Sequence, residues 1–460
     1  MPSKGPVLWR ALTLGEVVLF GLAYMTPLIV LGIFGIVSET TGGATAAAYA
    51  LALAAMLFTA FSYGKMAAIH PIAGSAYTYV RRTIDARAGF LVGWAVLLDY
   101  FFLPMVIWLI GAAYLSAQFP EVASWVWIVL FIIVTTVLNA MGIKIAARVN
   151  LLLMTVQIAV LFFFVLLSIG YVAGSSGPAA LFDLAPFDNR ATTVSGVAAG
   201  AAIAAYAFLG FDAVTTLAEE TVEPERTIPR AIMLTALAGG VIFIVVAYFA
   251  QLVHPGGLFE DSSSAAFEIA GLIGSSLFGA VFLTGLVVAQ FASGLAAQAG
   301  TSRLLYAMGR DGVLPRRVFA YLHPRSRTPV FGLVITGAAG LIALWLDMAI
   351  STSFINFGAF TTFTFVNFSV VAHYVRERRA GRTPGVVPYV LVPAIGAGVN
   401  LWLLSRLDAH AVTLGLIWLG LGVIYLAYVT RMFRRPPPEV EFVEEAPVTA
   451  GAAHDPRMLG

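Results

Sequence analysis

The chain of 460 residues lacks cysteine, and it has few charged residues, since Asp, Glu, Lys and Arg make up only 11% of it. Without cysteine there are no disulfide bonds and no thiolate ligands for a metal ion. Soluble proteins carry roughly a quarter of charged residues. Because 60% of this chain is hydrophobic, it cannot cover a globule with polar surface, and the composition predicts a protein that lies mostly in lipid.

Motifs of several enzyme classes are also absent. The sequence has no H-E-x-x-H or G-x-S-x-G stretch and no cluster of histidines, so it does not predict a metallohydrolase or a serine hydrolase. The nearest approach to a phosphate-binding loop, Tyr63-Gly64-Lys65-Met66, lacks the upstream glycine and the hydroxyl residue. We therefore expect neither an enzyme nor an ATP-driven pump, and no cofactor or metal. A channel stays open on composition alone.

Long apolar segments dominate what is there. About 20 such residues cross the hydrocarbon of a bilayer as a helix, so the pattern predicts an all-α polytopic membrane protein. We place twelve spans near residues 14–38, 44–64, 88–116, 124–142, 147–171, 192–218, 231–253, 271–301, 329–346, 349–375, 386–404 and 413–432. Residues 1–13 are expected to be a cytoplasmic N-terminus, and the acidic, proline-led residues 433–460 a disordered cytoplasmic tail.

The basic residues are distributed very unequally between the two sides of the membrane. With the N-terminus in the cytoplasm, all of the 26 Lys and Arg except Arg190 and Arg406 fall on the inner side. This is the positive-inside bias of plasma-membrane proteins, and it predicts that both termini are cytoplasmic. The basic excess therefore reports topology, and we expect the lipid bilayer as a partner but no nucleic acid.

Two spans carry helix-breaking residues near mid-membrane. In the first span Pro27 has no N–H to donate and biases Thr26 away from helix, and in the sixth span Gly210 interrupts the run AYAFLGFDAV. Breaks in corresponding positions of two halves indicate an inverted-repeat transporter, with ordinary kinks as the alternative. The expected units are a first five-helix repeat at 14–171, a second at 192–375, and two accessory spans within 386–432.

Two carboxylates lie well inside spans, Asp99 in the third and Asp212 in the sixth. A charged Asp at a helix centre costs about 2.5–3.5 kcal/mol on insertion scales, and no span interior holds a Lys or Arg to pair with it. We therefore expect a cationic substrate to supply the missing positive charge, above all at Asp212. Asp99 binds a second amine, carries a coupling proton or bonds to a neighbouring helix, and these alternatives stay open.

Other polar and aromatic residues near the breaks are weaker candidates. Aromatic rings cover ammonium groups and alkyl chains, and buried amides line sites as readily as they join helices. The candidate substrate contacts besides the aspartates are Tyr24, Thr26, Tyr206, Phe208, Gly210, Gln290 and Asn356, with Tyr206 and Phe208 as the expected gate. An inner gate is expected among Arg81, Glu219, Glu220 and Arg226, although a solvated charge cluster explains them as well.

Several runs carry a family resemblance. The run GFDAVTTLAEETVEPERTIPRAI, residues 210–232, resembles the sixth-helix signature of the amino acid–polyamine–organocation family of secondary transporters. The runs that resemble the bacterial putrescine importers within that family are SYGKMAAIHPIAGSAYTYVRR at 62–82, LLDYFFLPM at 97–105, RLLYAMGRDGVLP at 303–315 and INFGAFTTFTFVNFSV at 355–370. The resemblance implies a LeuT-like 5+5 inverted repeat with discontinuous helices 1 and 6, plus two accessory helices. It implies a central site between helices 1, 3, 6, 8 and 10.

Departures from the amino acid branch of the family favour a substrate without a carboxylate. That branch usually has a Gly-x-Gly turn in the first helix, where this chain has Ala23-Tyr24-Met25-Thr26-Pro27. Some proton-coupled members carry a lysine in the fifth helix, where this chain has Gln157, so a coupled proton or sodium ion stays an open question. The prediction is import of putrescine or a related polyamine by alternating access, with an amino acid permease for a basic or neutral substrate as the alternative.

Overall fold

A computed structural model describes residues 12–71, 75–141, 147–218, 220–310, 312–324 and 328–438, with the side chains of 147–151 and 307 left out. Within these ranges the regular structure is helical. The one extended pairing there is an isolated parallel bridge between Leu12 and Thr221. The predicted all-α class is confirmed for the described residues, whereas most of the predicted N-terminal segment and tail lies outside them.

The helices alternate between long spans and short connecting pieces. The α-helices of the described ranges, in chain order, are α1 Leu14–Met25, α2 Ile29–Gly32, α3 Phe34–Thr41, α4 Thr45–Ile69, α5 Ser75–Thr83, α6 Ala86–Gln118, α7 Ser124–Ala140, α8 Ala147–Ser175, α9 Val194–Ala204, α10 Pro224–Val253, α11 Ala265–Ile273, α12 Ser276–Arg310, α13 Arg316–Phe319, α14 Val330–Gly340, α15 Met348–Arg379, α16 Val392–Leu404 and α17 Ala409–Val429. Shorter 3₁₀ helices cover Pro178–Phe182, Ala205–Phe208, Asp212–Leu217 and Leu341–Leu344, and a π-helix covers Val387–Leu391.

Ten of the described helical segments are long and apolar enough to cross a membrane. A chain with this many apolar helices is a multi-pass membrane protein, as predicted. Two shorter apolar helices, Ser124–Ala140 and Val330–Leu344, fall on the fourth and ninth of the predicted spans.

The centre of the bundle is formed by the broken and the longest helices. Helix α4 packs against α10, α6 packs against α12 and α15, and α1 packs against α10 and the 3₁₀ helix Asp212–Leu217. Helix α6 has 33 residues and therefore runs for about 50 Å at 1.5 Å per residue. Asp99 lies near the middle of this helix, which packs against α12 and α15.

Helix α17 is fastened to α6 by a pair of tryptophans. Trp94 Nε1 donates a hydrogen bond to the carbonyl oxygen of Trp418, and Trp418 Nε1 donates to that of Trp94, both at 2.9 Å. Their rings stack with centroids 5.1 Å apart. A Cβ on Gly422 would lie 2.5 Å from Trp94 Cδ1, so the glycine leaves room for the indole. Because Trp94 lies less than two turns before Asp99, α17 fixes the axial position of the Asp99 helix.

One end of the bundle gathers the described chain ends, and we call it the terminal face. There Leu12 pairs with the segment before α10, and Arg87 at the start of α6 donates to the carbonyl oxygen of Phe433 at 2.8 Å. Arg376 at the end of α15 donates to the backbone of Arg82 after α5. The terminal face therefore carries the arginine-rich segments that the sequence assigns to the cytoplasm.

Candidate substrate-binding site

The first helix is interrupted at the predicted position. Helix α1 ends at Met25, and Thr26 adopts a left-handed conformation with φ 51° and ψ 80°. Pro27 follows without an N–H group, and helical structure resumes at Ile29. Thr26 is buried, and its backbone N–H donates to Ala23 O at 3.3 Å. The break is therefore a tight turn inside the protein, as irregular backbone at membrane depth has to be.

The second break lies in the segment that follows α9. The backbone tightens to a 3₁₀ helix at Ala205–Phe208, turns at Gly210 with φ +112°, and continues as a 3₁₀ helix from Asp212 to Leu217. A φ in this range is strained for any residue with a Cβ. Glycine is therefore required where the turn delivers Asp212 to the start of the next helical piece.

The two breaks touch one another. A Cβ on Gly210 would lie 2.4 Å from Tyr24 Cδ1 and 3.3 Å from the backbone nitrogen of Met25. The Tyr24 ring therefore packs directly on the bare Cα of Gly210. This contact joins the end of α1 to the turn that precedes Asp212.

A small cavity lies between these breaks and α6. Its lining residues are Tyr24, Asp99, Tyr100, Leu103, Leu209, Gly210 and Asp212. The volume is about 10 Å³, which is the room of a single water molecule. Both intramembrane aspartates thus share one closed cavity, and a larger ligand requires the broken helices to move apart.

Neither aspartate is neutralised by a basic side chain in the part of the chain that the structure describes, where the ion pairs all lie elsewhere. The Oδ1 atom of Asp99 is buried without a hydrogen-bond partner. The Asp212 carboxylate lies close to the backbone N–H groups of Gly210 and Ala213. An unpaired buried carboxylate is costly, so the cavity is suited to a cation that supplies the missing charge.

Two tyrosines complete the polar lining. The side chains of Tyr24 and Tyr100 lie close to each other in the cavity lining, and Tyr100 follows Asp99 in α6. Thr301 of α12 donates to the carbonyl oxygen of Tyr100 at 2.5 Å and so ties α12 to the Asp99 turn. Nothing in the sequence pointed to Thr301, because one threonine in a long apolar helix carries no signal of its neighbour.

The two residues expected to form an aromatic gate precede the second break in one 3₁₀ helix but have different neighbours. Tyr206 is buried and lies near Asp99. Phe208 points away from the cavity and packs edge-to-face on Phe243 of α10, with centroids 5.2 Å apart. Of the two, only Tyr206 has a place beside the acids, and the gating role of both stays a prediction.

The two amide candidates lie at different distances from the cavity. Gln290 of α12 lies beside Gly32 and Gly111, and Gly111 is about 18 Å along α6 from Asp99 at 1.5 Å per residue. Gln290 is therefore remote from the aspartates. Asn356 of α15 donates to the carbonyl oxygens of Ala202 and Ile203 at 2.7 and 3.3 Å. It caps the last turn of α9, while its Oδ1 atom stays buried without a hydrogen-bond partner.

The charged residues of the expected inner gate are only partly described, since Glu219 lies outside the described residues. The backbone of Glu220 accepts a hydrogen bond from Leu12 at 3.0 Å. Arg226 pairs with the exposed Glu223 at 3.6 Å, and Arg81 lies over the Tyr77 ring at 5.9 Å. An exposed pair such as Arg226–Glu223 contributes little, and the gate stays a prediction.

An aromatic cluster that the sequence analysis did not anticipate separates Asp212 from the terminal face. Phe211 is fully buried, and its ring lies 5.8 Å from Tyr63 of α4 and 5.4 Å from Phe363 of α15. Tyr63 also contacts Tyr79 of α5, with centroids 6.1 Å apart. The cluster closes the cavity on that side. Phe211 directly precedes Asp212, and this adjacency was the only feature of the sequence that placed an aromatic ring beside the cavity.

Comparison with known proteins agrees with this architecture. The family model described as "Amino acid permease" matches residues 13–427. The chain is 41% identical over 436 residues to the low-affinity putrescine importer PlaP of Escherichia coli strain K12, covering 94% of this chain and 96% of that protein. It is 28% identical to the methylthioribose transporter of Bacillus subtilis, covering 93% of this chain and 95% of that protein. The branched-chain amino acid permease BcaP of Bacillus subtilis is 25% identical, with 86% and 89% covered. The chain therefore belongs to the amino acid–polyamine–organocation family of membrane transporters, as its sequence motifs predicted.

Proposed function

We propose that this protein is a secondary transporter of the plasma membrane that imports putrescine or a related polyamine by alternating access. The observation that carries the proposal is the pair Asp99 and Asp212, which line one cavity without a basic partner in the described residues. Two buried carboxylates match a ligand with two ammonium groups. The similarity to a putrescine importer over most of the chain supports the same substrate class.

The proposal also includes the finer details of the architecture. The ten long apolar segments and the two shorter ones would make twelve spans, with repeats at 14–171 and 192–375 and accessory spans at 386–432. The breaks at Thr26 and Gly210 then occupy corresponding positions, which is the arrangement of inverted-repeat transporters. Both termini would be cytoplasmic, because the arginine-rich terminal face follows the positive-inside rule.

In the proposed binding mode one ammonium group pairs with Asp212 at the second break and the other with Asp99. The Tyr24 and Tyr100 rings cover the alkyl chain and donate or accept through their hydroxyls. Because the cavity of about 10 Å³ is far smaller than the sites of several hundred Å³ that hold small molecules, the broken helices have to separate before a diamine binds. Movement of the helix breaks is thus built into binding.

The burial of the residues around the first break supports a conformation in which the cavity is closed on the side opposite the terminal face. Val30, Leu31 and Phe34, which follow the first break, are fully buried, whereas Leu19 and Tyr24, which precede it, are 53% and 38% exposed. Tyr24 lines the cavity and is also partly exposed at the protein surface. Since the aromatic cluster around Phe211 closes the terminal-face side as well, we assign this arrangement to an occluded state of the transport cycle.

The membrane potential is sufficient to drive import of a cation. Each positive charge that moves inward gains about 2.3 kcal/mol per 100 mV, and a diamine gains about twice that. Proton or sodium coupling adds to this drive but is not required by it. Gln157 of α8 is buried with an unpartnered Oε1 atom, and it provides no charge for coupling.

An amino acid fits this cavity less well than a diamine. A substrate carboxylate would need N–H donors at the first break, and there Pro27 has none while the N–H of Thr26 is already bonded to Ala23 O. It would also lie beside two aspartates of its own sign. An amino acid permease is therefore the alternative that the substrate test has to exclude.

Uptake of labelled putrescine into liposomes tests the proposal directly. We expect accumulation that rises with an inside-negative voltage, imposed separately from the pH gradient, because the cargo is a dication. Unlabelled putrescine should compete, and alanine, glutamate and arginine should not. Liposomes without protein provide the background. Displacement of the label by an amino acid, but not by putrescine, would contradict the substrate assignment.

The Asp99→Asn variant is expected to weaken putrescine transport without abolishing it. The change removes one charged hydrogen bond, worth about 1.5–3 kcal/mol, so KM for putrescine should rise by about tenfold or more. Inhibition by butylamine, which has one ammonium group, should change much less, because Asp212 still binds it. Equal losses of affinity for the diamine and the monoamine would show that Asp99 does not bind the second ammonium group.

A further inference from the structure

We infer that the terminal face carries a binding site for the phosphate headgroup of an anionic phospholipid, centred on Lys65 between α4, α15 and the π-helix Val387–Leu391. This inference does not depend on the proposed substrate. It rests on the placement of one lysine among aromatic rings, arginines and an exposed apolar strip.

Lys65 is held by aromatic rings rather than by a carboxylate. Its Nζ atom lies 5.4 Å from the centroid of Phe61 and 4.9 Å from that of Tyr389. Among the described residues no acid pairs with it. The rings fix the position of the ammonium group but accept none of its three N–H donors as a charged oxygen would. A phosphate oxygen would complete this arrangement.

The surroundings of Lys65 are positive. Arg376 donates to the backbone of Arg82, so the Arg376 guanidinium is kept at this corner of the terminal face. Burial, and then the charges of Arg82 and Arg376 together with His373, hold the pKa of His70 below its ordinary value. The single acid on this stretch of α15, Glu377, is already bonded to Arg382. The corner therefore attracts an anion.

An apolar strip continues from this corner toward the membrane interior. His373 lies 6.0 Å from the Tyr389 ring, and beside Tyr389 the side chains of Val387 and Leu391 are 59% and 52% exposed. A cation at the headgroup level above exposed apolar side chains matches a phospholipid, whose acyl chains would cover the strip. A free phosphate ion would leave the strip uncovered.

Titration with phosphatidylglycerol tests the site. The purified protein in neutral detergent is mixed with increasing phosphatidylglycerol, and the unfolding temperature and the number of lipids retained in native mass spectrometry are recorded. We expect both to rise for the wild type. Lys65→Gln should move the titration midpoint about tenfold higher, the loss of one charge-assisted hydrogen bond. Lys65→Arg, which keeps the charge, should stay close to the wild type.

Matched controls separate the lipid site from general surface charge. Arg378 on the same stretch of α15 is exposed, so Arg378→Gln removes the same charge without touching the ring pair and should leave the midpoint unchanged. Glycerol phosphate is the headgroup without acyl chains, and it should not raise the unfolding temperature. The inference is wrong if Lys65→Gln titrates like the wild type, if Arg378→Gln shifts the midpoint as far, or if glycerol phosphate acts as well as the lipid.

Discussion

The Asp212→Asn variant is expected to lose putrescine uptake while remaining folded. The amide has nearly the same size as the carboxylate but brings no negative charge to the cavity between the helix breaks. Removing one partner of a buried ion pair costs about 3–5 kcal/mol, so binding of the diamine should weaken by more than about a hundredfold. The measurement is uptake of labelled putrescine into liposomes that contain equal amounts of each protein.

The same variant separates charge from backbone hydrogen bonding. Asp212 is the first residue of a 3₁₀ helix and follows its N-cap residue, Phe211, and the amide oxygen of Asn accepts a backbone N–H as a carboxylate oxygen does. If Asp212 only satisfied the backbone N–H groups of Gly210 and Ala213, Asn would preserve transport. Asp347→Asn is the matched control, because Asp347 caps α15 through Ile350 N at 2.7 Å outside the cavity. We expect that control to transport normally.

Stability provides a second readout for Asp212→Asn. Because a buried carboxylate without a basic partner is costly, its replacement should leave the unfolding temperature unchanged or raise it. A variant that both unfolds early and loses uptake would show that Asp212 has a structural role. Normal uptake by Asp212→Asn would remove the basis for the substrate assignment altogether.

The parts of the site that the sequence predicted are those that local chemistry dictates. Proline without an N–H group and glycine without a Cβ weaken a helix locally, and interruptions occur at Thr26, next to Pro27, and at Gly210. The rarity of intramembrane acids singled out Asp99 and Asp212 in the same way, and the structure brings both into one cavity. The predicted family was confirmed by the family model.

The parts that the sequence did not predict depend on contacts between distant segments. Nothing in a single helix reveals that Gln290 lies beside Gly111, which is about 18 Å along α6 from Asp99. The contact of Phe208 with α10 is equally hidden. Leu103 lines the cavity because it follows Asp99 by one helical turn. That spacing can be read from the sequence, but a leucine side chain gives no reason to expect a binding site. Interhelical register is set by packing over the whole interface, and packing has no local signature.

Helix α17, the last described helix, is joined to the helix that carries Asp99. Trp418 of α17 and Trp94 of α6 exchange hydrogen bonds at 2.9 Å, so the last helix holds the helix that carries Asp99. In the proposed cycle α6 would stay with α17, and the segments next to the two breaks would move against this pair. The exposed Tyr24 and the tight turn at Thr26 lie on the moving side of that boundary.

The Gly210→Ala variant is expected to lose both uptake and stability. A side chain at φ +112° adds backbone strain of about 1–3 kcal/mol. In addition, the new Cβ would lie 2.4 Å from Tyr24 Cδ1, which is far inside van der Waals contact. Relief of this clash displaces Tyr24 or the turn before Asp212, so the two halves of the cavity separate. Uptake into liposomes and thermal unfolding in detergent measure the two effects.

Gly381→Ala separates backbone strain from the contact between the breaks. Gly381 also has a positive φ of 79°, but a Cβ there meets no atom within 4 Å. We expect Gly381→Ala to lower the unfolding temperature slightly and to keep transport, whereas Gly210→Ala loses both. Adding Tyr24→Ala to Gly210→Ala should recover part of the lost stability, since the clash needs both partners. If Gly210→Ala behaves like Gly381→Ala, the two breaks do not depend on this contact, and the cavity is organised by other residues.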